Sequence, residues 1–360
     1  MTDPIEDALC PLFELNGAPT EQRNLRTVDI DTRSTLDMLR MISVEDHRVP
    51  AAVAETLPLM AVAVDFAVET LRAGGRLHYF GAGTSGRLAV IDAAELPPTF
   101  GVEPGWVVAH HAGAPDALLQ AVEQVEDDME LGARDAADVR SGDFAIGVSA
   151  SGRTPYVISA LREAARTGAR TALISSNPDS PYGTEVDVHI GVDTGPEVVM
   201  GSTRMKAGTA AKVVLNSIST ATMIRLGLTY SNLMVGVNAT NMKLRARLVR
   251  MLVAATGIER TGCERALADA DGDTRVALVT LLCEVPPPAA AAALRQSDGS
   301  VRKALRLLTS AAMPETSSMA TSGMADMAPD MADMADVADV TGVEVDGIDT
   351  IDTAADARAE

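Results

Sequence analysis

The chain has 360 residues, of which 47% are apolar, 22% are charged and 3% are aromatic. This length corresponds to about two domains, and the apolar content is sufficient for a large core. A formal net charge of −20 with so few aromatic side chains argues against binding to a phosphate backbone or stacking on nucleic-acid bases. Twelve acidic residues and one basic residue lie in 313–360, so the remainder is only mildly acidic.

The beginning of the chain and its cysteines predict the compartment. The first ten residues, MTDPIEDALC, contain neither the basic region nor the apolar region of a signal peptide. No apolar run reaches the ~18 residues of a membrane span. The three cysteines are too few and too scattered for a disulfide framework or a metal knuckle. We therefore expect a soluble, cytoplasmic protein with reduced thiols.

The segment after the N-terminal region has the rhythm of an α/β domain. Residues 1–50 are predicted to be a helical N-terminal extension, and Pro50 opens a long apolar helix that ends at Gly74 and Gly75. Five short apolar runs then alternate with helical patterns, at 76–80, 106–110, 143–149, 170–175 and 186–192. This alternation predicts a three-layer α/β fold in which helices flank a parallel sheet. Ligands of such sheets bind beyond the carboxyl ends of the strands.

The remainder of the chain divides into helices and a low-complexity tail. Helical patterns cover 202–225, 238–256 and several short stretches of 260–309. The predicted domains are therefore an N-terminal extension at 1–50, an α/β domain at 51–235, a C-terminal helical region at 236–310 and an acidic tail at 311–360. The tail, with its repeated Met-Ala-Asp pattern and no aromatic residue, is predicted to be disordered.

The first strand leads into a glycine loop, GAGTSGR at 81–87. The spacing has the GxGxxG form of a dinucleotide-binding loop. The acidic residue expected about 20 positions later is absent, because the second strand ends in His110 and His111. Thr84 and Ser85, together with backbone N–H groups at a helix start, suit a phosphate or a sugar better than a dinucleotide.

The third strand leads into a second loop of the same kind, SASGRTP at 149–155. Thr154 is a good N-cap and Pro155 is a favourable first helical residue. The loop therefore brings hydroxyl groups to a second helix N-terminus on the same sheet edge. Two such loops predict a phosphosugar site, to which Ser149, Ser151, Gly152 and Thr154 contribute.

Two glutamates fall on predicted apolar helix faces. A helix over 85–96, ended by two prolines, would place Glu95 on its apolar face, and a helix over 116–131 would place Glu126 inside its apolar stripe. Burial would raise the pKa of each carboxyl towards the range useful for proton transfer at neutral pH. Pairing with an arginine, or exposure at a domain interface, is the structural alternative. Two such residues beside one loop favour an acid/base pair.

Three long motifs identify a family. The segments GAGTSGRLAVIDAAELPPTFG (81–101), SASGRTPYV (149–157) and GPEVVMGSTRMKAGTAAK (195–212) closely resemble N-acetylmuramic acid 6-phosphate etherases of the sugar-isomerase (SIS) domain superfamily. The resemblance extends from about Thr20 to about Leu308 and excludes the tail. It departs from the family pattern at Leu25, where proline is expected, and at Met200, where threonine is common.

The resemblance implies a flavodoxin-like SIS fold and a reaction without metal or organic cofactor. Such enzymes convert N-acetylmuramic acid 6-phosphate into N-acetylglucosamine 6-phosphate and D-lactate. The open-chain aldehyde acidifies the hydrogen on carbon 2, a base removes it, and an acid protonates the departing lactate oxygen on carbon 3. Water then adds to the unsaturated aldehyde. The family's homodimers complete their sites across the interface, so a homodimer is expected here.

Residue by residue, the resemblance implies that Glu95 and Glu126 are the acid/base pair. Of the two possible assignments, we predict Glu95 as the acid and Glu126 as the base. The residues expected to hold phosphate and sugar are Gly83, Thr84, Ser85, Gly86, Ser149, Ser151, Gly152, Thr154, Ser202 and Thr203. Arg204 and Lys206 are expected near the site or its rim, and a solvent-facing helix start explains them nearly as well.

Three other functions fit parts of the sequence. Glucokinase regulatory proteins share the GPE-to-Lys signature and bind phosphosugars without catalysis, but they are much longer and contain two SIS domains. An aldose–ketose phosphosugar isomerase on the same fold would share the proton removal next to an aldehyde. A dinucleotide-dependent oxidoreductase is disfavoured by the missing acidic residue.

Overall fold

All five predicted strands form, each within two residues of its expected bounds, and they build one parallel sheet. The sheet order is β2-β1-β3-β4-β5, which is the flavodoxin-like order. In this order the chain reverses direction across the sheet between β1 and β3, whose carboxyl-terminal residues Gly81 and Val148 are in register. The strands are β1 Leu77–Gly81, β2 Val107–His111, β3 Phe144–Val148, β4 Arg170–Ser175 and β5 Val188–Gly191.

This computed structural model describes residues 18–122, 124–237 and 242–311. The predictions for residues 1–17 and for the acidic tail beyond Ala311 lie outside the described residues. A short antiparallel pair, β6 Thr229–Tyr230 and β7 Leu233–Met234, follows the sheet domain.

Helices cover both faces of the sheet, as the alternation predicted. Single 3-10 turns lie at Pro19–Glu21, Ile30–Thr32 and Pro181–Glu185. The α-helices up to the second strand are α1 Thr35–Asp46, α2 Arg48–Ala54, α3 Leu57–Arg72 and α4 Gly83–Phe100. Those that follow are α5 Asp116–Leu119, α6 Met129–Asp135, α7 Pro155–Arg166 and α8 Lys206–Arg225.

Alternate residues of a strand pack into two different apolar cores, one on each face of the sheet, because successive side chains point to opposite faces. Leu77 and Tyr79 of β1 lie in the core that α3, α4 and α8 cover. Phe80 lies in the opposite core, which contains buried residues of α7 such as Tyr156 and Leu161. Both faces are therefore covered, which is why the strands are continuous apolar runs.

The C-terminal region forms a separate apolar core. Short breaks separate its helices, and Gly257 takes a left-handed conformation after the first of them, with φ of 72°. The bounds are α9 Met242–Thr256, α10 Arg260–Asp269, α11 Thr274–Cys283, α12 Pro287–Gln296 and α13 Val301–Ala311. The division of the whole chain at residues 50, 235 and 310 stays a prediction.

Two predicted helices differ from the structure in their extent. The helix expected from Pro50 to Gly74 is two helices, α2 and α3, separated at residues 55–56. Helix α4 does not end at its prolines but continues to Phe100, which is buried in the sheet core. Gly101 then ends it with φ of 67°, and its N–H donates to the carbonyl of Pro97 over 2.9 Å. Tertiary packing of Phe100 thus stabilises a turn that the prolines alone would not favour.

Among the described residues, no single helix is long and apolar enough to cross a membrane. Two sharply bent helix pairs, Thr35–Ala54 with Leu57–Arg72 and Thr274–Cys283 with Pro287–Gln296, reach that length and composition together.

Candidate active site

The first glycine loop places two hydroxyl groups at a helix N-terminus. Helix α4 begins at Gly83, directly after β1, and Thr84 and Ser85 of its first turn line a cavity of about 380 Å³. Gly86 faces the strand instead. A methyl group at this position would lie 2.4 Å from the carbonyl oxygen of Gly81 and 2.6 Å from the His111 ring. Gly86 therefore permits the close approach of helix and strand, while Gly83, Thr84 and Ser85 face the ligand space.

The second loop forms the adjacent wall of the same cavity. Ser151 and Thr154 line it, whereas Ser149 is buried beneath them. The Ser149 hydroxyl contacts the Thr154 hydroxyl over 2.8 Å and accepts from the N–H of Gly152 over 3.1 Å. Thr154 occupies the N-cap position as predicted, although its side chain does not bond to the helix backbone. Ser149 thus shapes the loop, and Ser151 and Thr154 face the cavity.

Gly152 has a conformational role in this loop. Its φ of +69° lies in the left-handed region, and a methyl group there would lie 2.7 Å from the Ser180 hydroxyl. Any larger residue would be strained and would displace the loop.

Glu126 lies in the cavity wall, but not on a helix. The helix predicted over 116–131 is wrong, because α5 ends at Leu119 and α6 begins at Met129. The carbonyl of Glu126 accepts from the N–H of Tyr156 at the start of α7 over 3.0 Å. This bond to another element replaces a local helical bond. Glu126 and Asp127 both line the cavity, and the Glu126 side chain is exposed rather than buried in an apolar stripe.

Arg87 of the first glycine loop holds the other end of this segment. Its guanidinium donates to the carbonyls of Ala117, Leu118 and Gln120 over 2.6 to 3.0 Å. These three carbonyls lie where α5 ends, so Arg87 satisfies backbone acceptors that a continuing helix would have paired. Arg87 and Tyr156 together explain why residues 120–122 and 124–128 do not continue the helix.

Glu95 lies on α4, far from this cavity. It is twelve residues after Gly83, which corresponds to about 18 Å along a helix axis. Its side chain is exposed, and Ile91, one turn earlier, is 58% exposed. The predicted burial of Glu95 on an apolar stripe is therefore wrong within a single chain. The cavity lining does not include Glu95.

The buried carboxylate of α4 is Asp92, which the sequence analysis missed. It accepts from Tyr79 of β1 over 3.2 Å and from Asn216 and Ser219 of α8 over 2.5 and 2.9 Å. Burial raises the pKa of Asp92 above its ordinary value, and the bonds from α8 oppose that shift. Asp92 ties α4 to the sheet and to α8, which is a structural role.

The segment before α8 contributes Thr203 to the cavity lining, while Ser202 lies outside it. Arg204 is exposed, which agrees with a solvent-facing position. Lys206 contradicts both predictions made for it, because it is fully buried. Its Nζ lies 2.8 Å from Oε2 of Glu45, which also forms a bidentate pair with Arg26.

Glu197 completes the anchoring of α8. Its two carboxylate oxygens accept from the N–H groups of Lys206 and Ala207 over 3.0 and 2.9 Å. Burial raises the pKa of Glu197, and the two backbone bonds oppose the rise. Within this signature, Glu197 therefore caps the start of α8, and Lys206 pairs with Glu45 instead of lining the cavity.

We expect Lys206→Met to lower the free energy of unfolding by about 3–5 kcal/mol, because it leaves the buried Glu45 carboxylate without the buried cation that pairs with it. The pKa of Glu45 is lowered to about 2, first by its bond to Arg26 and then by Lys206, so the Glu45 carboxylate is ionised at neutral pH. Urea unfolding measures the change. The matched control is Lys303→Met. The Nζ of Lys303 lies 3.8 Å from Oδ2 of the exposed Asp298, and loss of this exposed ion pair should lower the free energy of unfolding by about 1 kcal/mol or less. Equal losses in the two variants would contradict this account.

The two histidines that end β2 have structural positions. The His110 ring stacks on Phe80 with ring centroids 4.5 Å apart and bonds to His78 over 3.1 Å. Burial lowers the pKa of His110 to about 4. His111 is buried and its Nε2 lies 3.2 Å from the carbonyl oxygen of Gly83. Both are part of the packing beneath the first glycine loop.

The cavity combines two hydroxyl-bearing helix N-termini with three carboxylates and one guanidinium. Backbone N–H groups at helix N-termini attract anions such as phosphate. The carboxylates of Glu21, Glu126 and Asp127 can accept hydrogen bonds or protons. Glu21, Asp127 and Arg153 were not predicted as site residues. Glu21 belongs to the TEQRN segment, whose sequence has no spacing that indicates chemistry.

The position of this cavity, beyond the carboxyl ends of β1 and β3, is where open α/β sheets bind ligands. The fold and the site define a phosphosugar-binding protein of the SIS class, and residues 117–220 match the SIS domain family. Residues 60–165 match the family described as the glucokinase regulatory protein N-terminal SIS domain.

Relatives over most of the chain define the family further. An N-acetylmuramic acid 6-phosphate etherase of Thermobifida fusca is 62% identical over 269 residues, covering 75% of this chain and 88% of the relative. The etherase of Pectobacterium atrosepticum is 51% identical over 295 residues, covering 81% and 97%. The chain therefore belongs to the N-acetylmuramic acid 6-phosphate etherase family.

Solved structures with the same type of fold are more distant. A phosphoheptose isomerase from Francisella tularensis is 17% identical, with a TM-score of 0.45, and the match covers 53% of this chain and all of that one.

Proposed function

We propose that this protein cleaves the D-lactyl ether of N-acetylmuramic acid 6-phosphate, yielding N-acetylglucosamine 6-phosphate and D-lactate, as a carbon–oxygen lyase of cytoplasmic cell-wall sugar recycling. The observation that supports this most directly is Glu126 in a cavity walled by two hydroxyl-bearing helix N-termini, in a chain of the etherase family. The phosphate binds to the loop containing Ser151 and Thr154, near the N-terminus of α7.

The two chemical steps are elimination and hydration. Glu126 removes the hydrogen on carbon 2 of the open-chain sugar, whose aldehyde stabilises the resulting negative charge. An acid protonates the ether oxygen on carbon 3 as the bond to lactate breaks. Water then adds across the double bond between carbons 2 and 3. The water oxygen forms the new hydroxyl group on carbon 3 as the acid residue takes back a proton, and Glu126 returns its proton to carbon 2. Each proton-transfer group is expected to accelerate the reaction by about 10²–10⁴-fold.

Glu95 is the proposed acid, and it acts in the site of a second protomer. Within one chain the length of α4 places it about 18 Å from the glycine loop, too far to reach the same sugar. Its helix face also exposes Ile91, an apolar side chain that a partner would cover. The proposed assembly is therefore a homodimer in which each cavity contains Glu126 of one protomer and Glu95 of the other.

The substrate-binding assignment follows the geometry. Gly83, Thr84, Ser85, Ser151, Thr154 and Thr203 are proposed to face the ligand, because they line the cavity. Gly86, Ser149 and Gly152 are proposed to support them by shaping the two loops. Ser202 lies next to Thr203 and is proposed to hold the α8 loop.

Release of D-lactate from N-acetylmuramic acid 6-phosphate tests the function. The purified chain should release one D-lactate for each N-acetylglucosamine 6-phosphate formed, as measured with D-lactate dehydrogenase and by chromatography. Incubation of the chain with N-acetylglucosamine 6-phosphate alone is the control for an isomerase. Formation of a ketose phosphate without lactate would indicate isomerisation. Tight binding of the sugar phosphate without turnover would instead favour a regulatory binder and contradict the proposal.

A further inference from the structure

Glu21 reaches the cavity from outside the sheet domain. It ends the 3-10 turn Pro19–Glu21, and its side chain is half-buried. It lines the cavity together with Thr84, Glu126 and Thr203, which come from three other segments. The site is thus incomplete without the N-terminal region.

The segment that carries Glu21 is anchored to the loop before α8. The N–H of Gly201 donates to the carbonyl of Thr20 over 3.3 Å. Asn24 donates from its side chain to the carbonyl of Pro196 over 3.3 Å, and the Thr27 hydroxyl donates to the carbonyl of Val198 over 2.8 Å. Thr20, Asn24 and Thr27 are all buried. Glu21 is therefore held in a defined position beside the cavity.

The Glu21 carboxylate is available for a ligand. Among the residues that the structure describes, no hydrogen bond or ion pair joins it to another side chain. Residue 201 leaves it room, because a methyl group on Gly201 would lie 3.3 Å from Oε2 of Glu21, and the φ of Gly201 is +74°. A side chain at position 201 would crowd the Glu21 carboxylate, and glycine avoids this contact.

The chemistry of a carboxylate limits what it can bind here. A phosphate or a lactyl carboxylate would be repelled by Glu21. Sugar hydroxyl groups are neutral donors, and their bonds to an ionised carboxylate are among the strong hydrogen bonds of proteins. Building on the proposed function, we propose that Glu21 binds the sugar hydroxyl groups of the substrate.

Binding of two probes tests this assignment. For Glu21→Ala, the dissociation constant of N-acetylglucosamine 6-phosphate should rise about tenfold to a hundredfold, as expected for the loss of a hydrogen bond to a charged group. The dissociation constant of inorganic phosphate, which has no sugar hydroxyl, should change by less than about twofold. Glu21→Gln should fall between the wild type and Glu21→Ala, since it keeps one acceptor oxygen without the charge. Isothermal titration calorimetry measures both ligands.

Gln22→Ala is the matched control, because Gln22 follows Glu21 in the same segment and is exposed. It should bind both probes as the wild type does. Equal weakening of both probes in Glu21→Ala would show displacement of the loops and overturn the assignment, as would unchanged sugar phosphate binding. If the wild type releases no lactate, the proposed function fails, while the two titrations still decide the role of Glu21. A wild type that binds no sugar phosphate overturns both.

Discussion

Glu126→Gln is expected to lower kcat for D-lactate release by about 10²–10⁴-fold. Glutamine keeps the size of the side chain and one acceptor oxygen, but it cannot accept the proton from carbon 2. The dissociation constant of N-acetylglucosamine 6-phosphate should change by less than about tenfold, because the proposed phosphate site is the loop that contains Ser151 and Thr154, near the N-terminus of α7. Steady-state kinetics with a D-lactate assay, together with calorimetric titration, measure both quantities.

Asp127→Asn is the matched control, since Asp127 lines the same cavity wall one residue later. It removes the same charge without removing the proposed base, so kcat should fall by less than about tenfold. Retention of kcat in Glu126→Gln would contradict its role as the base. Equal losses in the two variants would indicate a general effect of cavity charge instead of proton transfer by Glu126.

Glu95→Gln is expected to lower kcat for D-lactate release about as strongly as Glu126→Gln does, although Glu95 lies outside the cavity of its own chain. The distinctive result concerns mixed dimers. When Glu95→Gln and Glu126→Gln protomers are refolded together, a mixed dimer contains one site with both wild-type glutamates. Random pairing at equal amounts should therefore restore about a quarter of the wild-type activity. The measurement is D-lactate release before and after joint refolding.

Glu103→Gln serves as the control for this experiment, because Glu103 is an exposed glutamate shortly after the same helix. It should retain full activity alone. Absence of recovery in the mixture, with dimers present by sedimentation, would mean that both glutamates act within one chain. Full activity of Glu95→Gln alone would remove Glu95 from the mechanism altogether.

Local patterns in the sequence were sufficient to predict the strands of the sheet. Strands such as 77–81 and 144–148 are short, fully buried and separated by helices, so each produces an apolar run that no surface element would have. The glycine loops were also predictable. Gly86 and Gly152 are required by close approach or by a left-handed φ, and the neighbouring hydroxyl residues stand out among them.

The helical periodicity failed where distant groups compete for the backbone. Residues 116–131 have an apolar stripe, but Tyr156 and Arg87 bond to the backbone of this segment from other elements. These bonds join residues that are far apart in the chain, so the spacing of apolar residues within the segment does not predict them. The family resemblance predicts Glu126 as a site residue and the structure places it in the cavity wall, while its predicted burial on an apolar stripe does not occur.

The sequence by itself determined the order of the strands and helices, the two hydroxyl-bearing loops and, through three long motifs, the family. Only the tertiary structure decided which polar residues share a cavity. It brought Glu21 next to Glu126, buried Lys206 against Glu45 and left Glu95 on an outer helix face. The physical reason is that local periodicity reports the conformation of one segment. The partners of a charged side chain depend on segments that are far apart in the chain and meet only when the sheet and its helices have packed.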